Sequence, residues 1–114
     1  MKAHLPPDEV QRLARLRALN VLDSMPEPLF DGLARLAAQI AGTPIALVSL
    51  VDDERQWFKA NLGLPGVQQT PRDLAFCAHT ILDGKLMTVA DAHADPRFAD
   101  NPMVTGEPGI RFYA

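Results

Sequence analysis

The segment TPRDLAFCAHTIL, residues 70–82, holds the chain's single cysteine, Cys77, two positions before His79. A thiol beside an imidazole makes a thiolate nucleophile only if the two side chains meet. Two residues apart on a helix they do not. With Leu74 at zero, Cys77 lies about 60° to one side and His79 about 140° round. Cys77 therefore reads as a small, buried, unreactive apolar group, and His79 as a side chain free to border a pocket. Cys77, His79, Asp91 and His93 are all metal-ligand types. They come from a helix and a strand end with no close-spaced pair of a metal signature, so no metal site is expected. No residue is assigned a catalytic role.

The elements that position these groups belong to one domain, 1–114. A chain of 114 residues is long enough to bury roughly two thirds of its unfolded surface. Eleven basic against 14 acidic side chains give a net charge of −3, without the basic field that draws a protein to nucleic acid. One cysteine makes no internal disulfide, which fits a reducing compartment. No apolar run approaches the ~18 residues of a membrane span. The expected setting is cytoplasmic.

Pro6, Pro7, Asp8 and Glu9 open a first helix, read over 6–23, with Val10, Leu13, Ala14, Leu16 and Leu19 apolar and Arg12, Arg15 and Arg17 on its wetter side. The prolines of SMPEPLF break it. Pro28 starts a second helix, with Phe30, Leu33, Ala37, Ile40 and Ala41 at helical spacing and Gly42 as its left-handed cap. PIALVSLVDD is apolar on both alternating faces and QWFKANL on one, which reads as a hairpin. Thr70 as N-cap, Pro71 at the first helical position and Asp73 predict a third helix from Pro71 to before Gly84. KLMTVADA (85–92) and IRFYA (110–114) read as third and fourth strands. HADPRFADNP reads as a loop with a short helical turn, and VTGEPG as a turn. The expected fold class is α+β, with an antiparallel sheet and a sheet-and-helix core over 28–114.

Taken together, LFDGLARLAAQIAGTPIALVSLVDDERQWFKANLGL, FCAHTIL and VADAHADPRFADNPMVTGEPGIRFYA resemble, from about Asp8 to Ala114, the GAF sensor domains found N-terminally in bacterial histidine kinases and diguanylate cyclases. The resemblance implies a PAS-like fold: helices on one face of an antiparallel sheet, a ligand or signal pocket on the other, and no catalysis by the domain. Bilin-binding members attach the pigment at a cysteine followed directly by histidine. Here Ala78 intervenes, which argues against covalent bilin. Methionine sulfoxide reductases on this fold use several cysteines. The Asn-Lys-Phe-Asp-Glu set of the cyclic-nucleotide members is not recognisable, because RFADNP has Phe98 and Asp100 without the lysine or the spacing. The cofactor is left unknown.

The remaining pocket candidates are Phe76, His79, Asp91, Phe98, Arg111 and Tyr113, which suit a small polar or anionic metabolite. Arg111 reads equally well as a solvated residue or a partner of Asp91 or Asp95, and Phe98 and Phe112 read as core. DPRF reads as a turn in which Asp95 bonds backbone ahead of Pro96. The expected function is non-catalytic signal input, binding a small molecule or a partner helix and biasing an output domain outside this chain. The alternative is a structural dimerisation module. A homodimer would form through Val10, Leu13 and Leu16 of the first helix. In the family this resembles, a further strand follows the segment equivalent to IRFYA and pairs beside the first strand. The chain is therefore expected to be a truncated domain whose first strand has an open edge, prone to self-association. No nucleic acid or membrane partner is expected.

Overall fold

The computed structural model describes residues 1–114, in two units: Asp8–Arg72, and Met1–Pro7 together with Asp73–Ala114.

In the first unit, α1 spans Glu9–Ala18, shorter than the expected 6–23. Asn20 and Asp23 turn the chain through positive φ (54° and 61°), a conformation these two residue types tolerate better than most. α2 spans Pro28–Ala41, with proline in its first turn and Gly42 (φ 66°) as the left-handed cap donating to the Ala38 carbonyl, as read from the sequence. β1 (Ala46–Val51) and β2 (Arg55–Leu62) form the expected antiparallel hairpin. The pairing runs Val48 to Ala60 and Ser49 to Phe58, which leaves Lys59 as the extra residue of a bulge. Gly63 follows at φ 98°, so close to the backbone before β1 that a Cβ would stand 2.2 Å from the Pro44 carbonyl oxygen.

α2 packs on β1 and β2. The face it buries is not the one expected. Ala34 and Ala38 are buried, whereas Leu33 and Ile40 stand exposed. Two small side chains let the helix backbone lie close to the sheet, and the larger residues turn away.

The third helix is overturned over most of its length. Gln69–Pro71 form β3, paired with β2 from Trp57–Gln69 to Arg55–Pro71, and the Arg72 N–H donates to the Glu54 carbonyl. The sheet order is β1-β2-β3, so β1 and β3 are both edges. Pro71 lacks an N–H and is tolerated on such an edge. The pairing with β2 prevails over the local capping pattern. A 3₁₀ turn, Arg72–Leu74, follows.

In the second unit, α3 is a single turn, Cys77–Thr80. The expected third and fourth strands reduce to one antiparallel bridge between Val89 and Tyr113, whose N–H groups exchange bonds at 2.7 and 3.0 Å. α4, Pro102–Thr105, runs from the end of the HADPRFADNP loop into the first two residues of the expected VTGEPG turn. Asn101 caps it, accepting from the Met103 N–H at 2.9 Å and donating to the Leu74 carbonyl at 2.7 Å. Phe76, Val89, Ala92, Phe98 and Val104 make the core of this unit, with Met87, Ile110 and Tyr113 against it. The architecture is α+β with an antiparallel sheet.

Candidate functional site

Four of the six candidate pocket residues meet. The Phe76 and Phe98 rings stack at 4.1 Å, 2° from parallel; Tyr113 lies 5.0 Å from Phe76; His79 stands edge-on to Phe98 at 4.9 Å. Phe76 and Phe98 are buried and belong to the core of this unit. The other two candidates stand apart from this group. Asp91 is exposed and accepts from the His93 N–H at 3.0 Å. Arg111 is exposed and donates to the carbonyls of Val104 and Ile110.

α3 sends Cys77 and His79 different ways. The Cys77 sulfur lies 3.2 Å from the Tyr113 hydroxyl, which is itself 2.9 Å from Thr80 Oγ1. Burial, with Cys77 beside it, pushes the Tyr113 phenol well above its ordinary value. The thiol is half-buried, not fully buried as expected. His79 Nε2 lies 3.0 Å from the Met1 carbonyl. A carbonyl only accepts, so Nε2 carries the proton and Nδ1 is the free acceptor. Burial lowers the imidazole pKa, and nearby Arg97 and the N-terminal ammonium act the same way.

His79 borders an open cleft of about 510 Å³ in this unit. Lys2, His4, Lys85 and Arg97 also line it, against a single carboxylate, Asp83. Arg97 is fixed by a two-pronged bond to Asp95 (3.1 and 2.8 Å) and lies 5.1 Å from the centre of the Phe98 ring. That bond holds the Asp95 carboxyl down at about 2. Asp95 also accepts from the Arg97 N–H, as the turn reading anticipated. Lys2 pairs with Asp73 at 3.5 Å. Of the six candidate pocket residues only His79 lines this cleft, and sequence reasoning missed Lys85 and Arg97. The signal for Arg97 is its position between Asp95 and Phe98 in DPRF, where the turn reading leaves its charge unused. Of the helix-one residues, Leu13 and Leu16 are buried in the chain itself and Val10 is exposed.

The cleft has a net-positive lining with the His79 imidazole at its border, while Phe76, Phe98 and Tyr113 lie in the core and do not line it. The profile of the GAF domain matches residues 25–114. The chain belongs to the GAF domain family. This GAF domain is also 48% identical, over 109 residues and 96% of its length, to the cyclic di-GMP phosphodiesterase PA2567 of Pseudomonas aeruginosa. It spans only 18% of that protein. GAF domains are signal-sensing modules, so a bacterial relative that carries one places the family in signal transduction. No helix of this GAF domain is long and apolar enough to cross a membrane.

Proposed function

We propose that this GAF domain is a non-catalytic, cytoplasmic input module that binds a small anionic molecule in the His79 cleft and passes a conformational bias to an output domain. The observation that carries the reading is the cleft's charge: Lys2, Lys85 and Arg97 against Asp83. Lys85 is the one of these cations for which no carboxylate partner is found. An anion seated there would gain charge-assisted bonds without displacing an existing ion pair. His79, neutral and with Nδ1 free, supplies an acceptor for a hydroxyl or amine on the same ligand. Cys77 faces Tyr113 instead of His79, which supports a role in binding over one in thiol chemistry. By similarity to the P. aeruginosa protein, the output to be biased is cyclic di-GMP turnover.

Native mass spectrometry of the purified chain, followed by calorimetric titration with inorganic phosphate, a nucleoside monophosphate and a dicarboxylate, tests this. One of these anions is expected to bind, and Lys85→Glu to abolish binding without unfolding the chain. Absence of any anion binding, or binding untouched by Lys85→Glu, would overturn the reading.

A further inference from the structure

α2 carries a second apolar face that nothing in the chain covers. Leu29, Leu33, Leu36 and Ile40 are 69, 48, 52 and 79% exposed. Their spacing of four, three and four residues is the a/d seam of a coiled coil, repeated without interruption over the whole helix. Ala34 and Ala38, buried at 3 and 8%, lie roughly opposite on the wheel. The helix therefore seats itself on the sheet with alanines and turns four large aliphatic side chains outward.

We propose that this seam packs against the same seam of a second copy of the chain, as an antiparallel helix pair. Three observations select that occupant. The seam is symmetric about the point between Ala34 and Arg35, which is also the midpoint of Pro28–Ala41. A two-fold axis there sets Leu29 against the second copy's Ile40 and Leu33 against its Leu36, with the helix ends in line; such an interface is complementary to itself. The antiparallel sense also sets each helix N-terminus beside the other's C-terminus, the favourable dipole arrangement. Next, the flanking positions are Phe30, Gly32, Ala37 and Gln39, all uncharged. A seam meant for a different helix would carry a charge code there; this one carries neither a code nor a like-charge penalty against itself. Last, the four residues at these exposures present on the order of 500 Å² per copy, so roughly 1,000 Å² across a pair, the lower bound of a specific interface. The dimer is thus a weak one, in dissociating equilibrium with monomer.

The inference is independent of the ligand reading and replaces helix one, where of Val10, Leu13 and Leu16 only Val10 is exposed, with α2 as the pairing surface. Sedimentation velocity of the whole chain, from low micromolar to several hundred micromolar, should show a monomer–dimer equilibrium. Leu36→Glu should weaken it at least about tenfold, Leu33→Glu likewise, and Val10→Glu should leave it unchanged. All three sites are exposed, and circular dichroism checks that each variant is folded. In a Cys77→Ala background, Leu29→Cys and Ile40→Cys chains should cross-link when mixed and not when alone. A chain that stays monomeric at every concentration overturns the proposal. So does a dimer that survives Leu36→Glu, which would point to the open edge of β1, and so does cross-linking of Leu29→Cys with itself, which would require a parallel pair.

Discussion

Arg72 donates through both terminal guanidinium nitrogens to the carboxylate of Glu9, sixty-three residues earlier in the chain, with Nη2 at 3.2 Å from Oε2. The pair joins the start of α1 to the residue just after β3. Arg72 is only 6% exposed, and its Nη1 also reaches the carbonyls of Asp52 and Asp53. Glu9 receives Arg12 as well, at 2.9 and 3.0 Å. Two guanidinium groups, Arg12 first, hold the Glu9 carboxyl at about 2.

Glu9→Gln should therefore destabilise the fold by on the order of 2 kcal/mol at neutral pH, because a buried arginine loses its charge partner. The sign of the pH effect follows from the depressed pKa. The contribution is fully present above 4.5, the ordinary value, and is lost as pH falls toward about 2. Urea unfolding of both proteins across that range should show the gap between wild type and Glu9→Gln closing as acid is added. A constant gap would mean that Glu9 acts through packing alone.

Lys59 is the bulge residue of β2, and its side chain is 1% exposed. Its ammonium donates to Ser24 Oγ at 2.7 Å and the Met25 carbonyl at 2.6 Å, meets Glu27 at 2.6 Å, and lies 5.6 Å from the centre of the Phe30 ring. The bulge aims one cation at the Ser24–Glu27 end of the α1–α2 connection. Lys59→Ala should cost on the order of 3 kcal/mol, since it strands the acceptors gathered around it. Glu27→Gln should cost less than about 1 kcal/mol, because Glu27 is 57% exposed and two other acceptors remain. Equal losses in chemical denaturation would assign the pin to the ion pair instead of the bulge.

These two clasps show where sequence reasoning reached and where it stopped. α2 was legible because its signals are local: proline in its first turn, a glycine at its end, apolar spacing between. The β1–β2 hairpin was legible from alternation. Thr70-Pro71 failed because the same letters satisfy a helix cap and an edge strand, and the choice is made by β2, many residues away. α2's burial failed for a related reason. Leu33 and Ala34 both fit a helical stripe, and only the closeness of the sheet decides that the alanine goes inward. At the cleft only His79 was legible by type; Phe76, Phe98 and Tyr113 belong to the core, and Arg97 and Lys85 join the cleft through chain folding that no spacing records. The capping of α4 by Asn101 could have been read, since Asn-Pro is a strong helix opening.

His79 sets a second pH dependence. Its folded-state pKa lies below the ordinary 6.5, first through burial, then through Arg97 and the N-terminal ammonium, with Asp95 and the Met1 carbonyl opposing. The unfolded chain therefore takes up this proton before the folded one. The stability tied to neutral His79 is present above 6.5 and declines as pH falls through the lowered value. Urea midpoints from about pH 7.5 to about pH 5 should fall for wild type and be flatter for His79→Gln. Identical slopes would remove His79 as the titrating group.

The Tyr113 hydroxyl ties the last residues of the chain to α3, and its partners fix the direction of its bonds. Thr80 Oγ1 lies 3.4 Å from the Phe76 carbonyl, which only accepts, so the threonine hydroxyl donates there. Thr80 then accepts from Tyr113 at 2.9 Å, and the tyrosine oxygen is left to accept the Cys77 S–H at 3.2 Å. A phenol kept protonated by burial suits this relay, since it must donate and accept at once. Tyr113→Phe removes the middle of the relay and keeps the ring against Phe76; Thr80→Val removes its far end and keeps the volume. Each should cost on the order of 1 kcal/mol. The double variant should cost little more than either alone, because the Tyr113–Thr80 bond is shared and can be lost only once. A double-mutant cycle in urea checks this. Fully additive losses would show that the two hydroxyls act separately, with the C-terminal segment held by the aromatic contacts of Tyr113 alone.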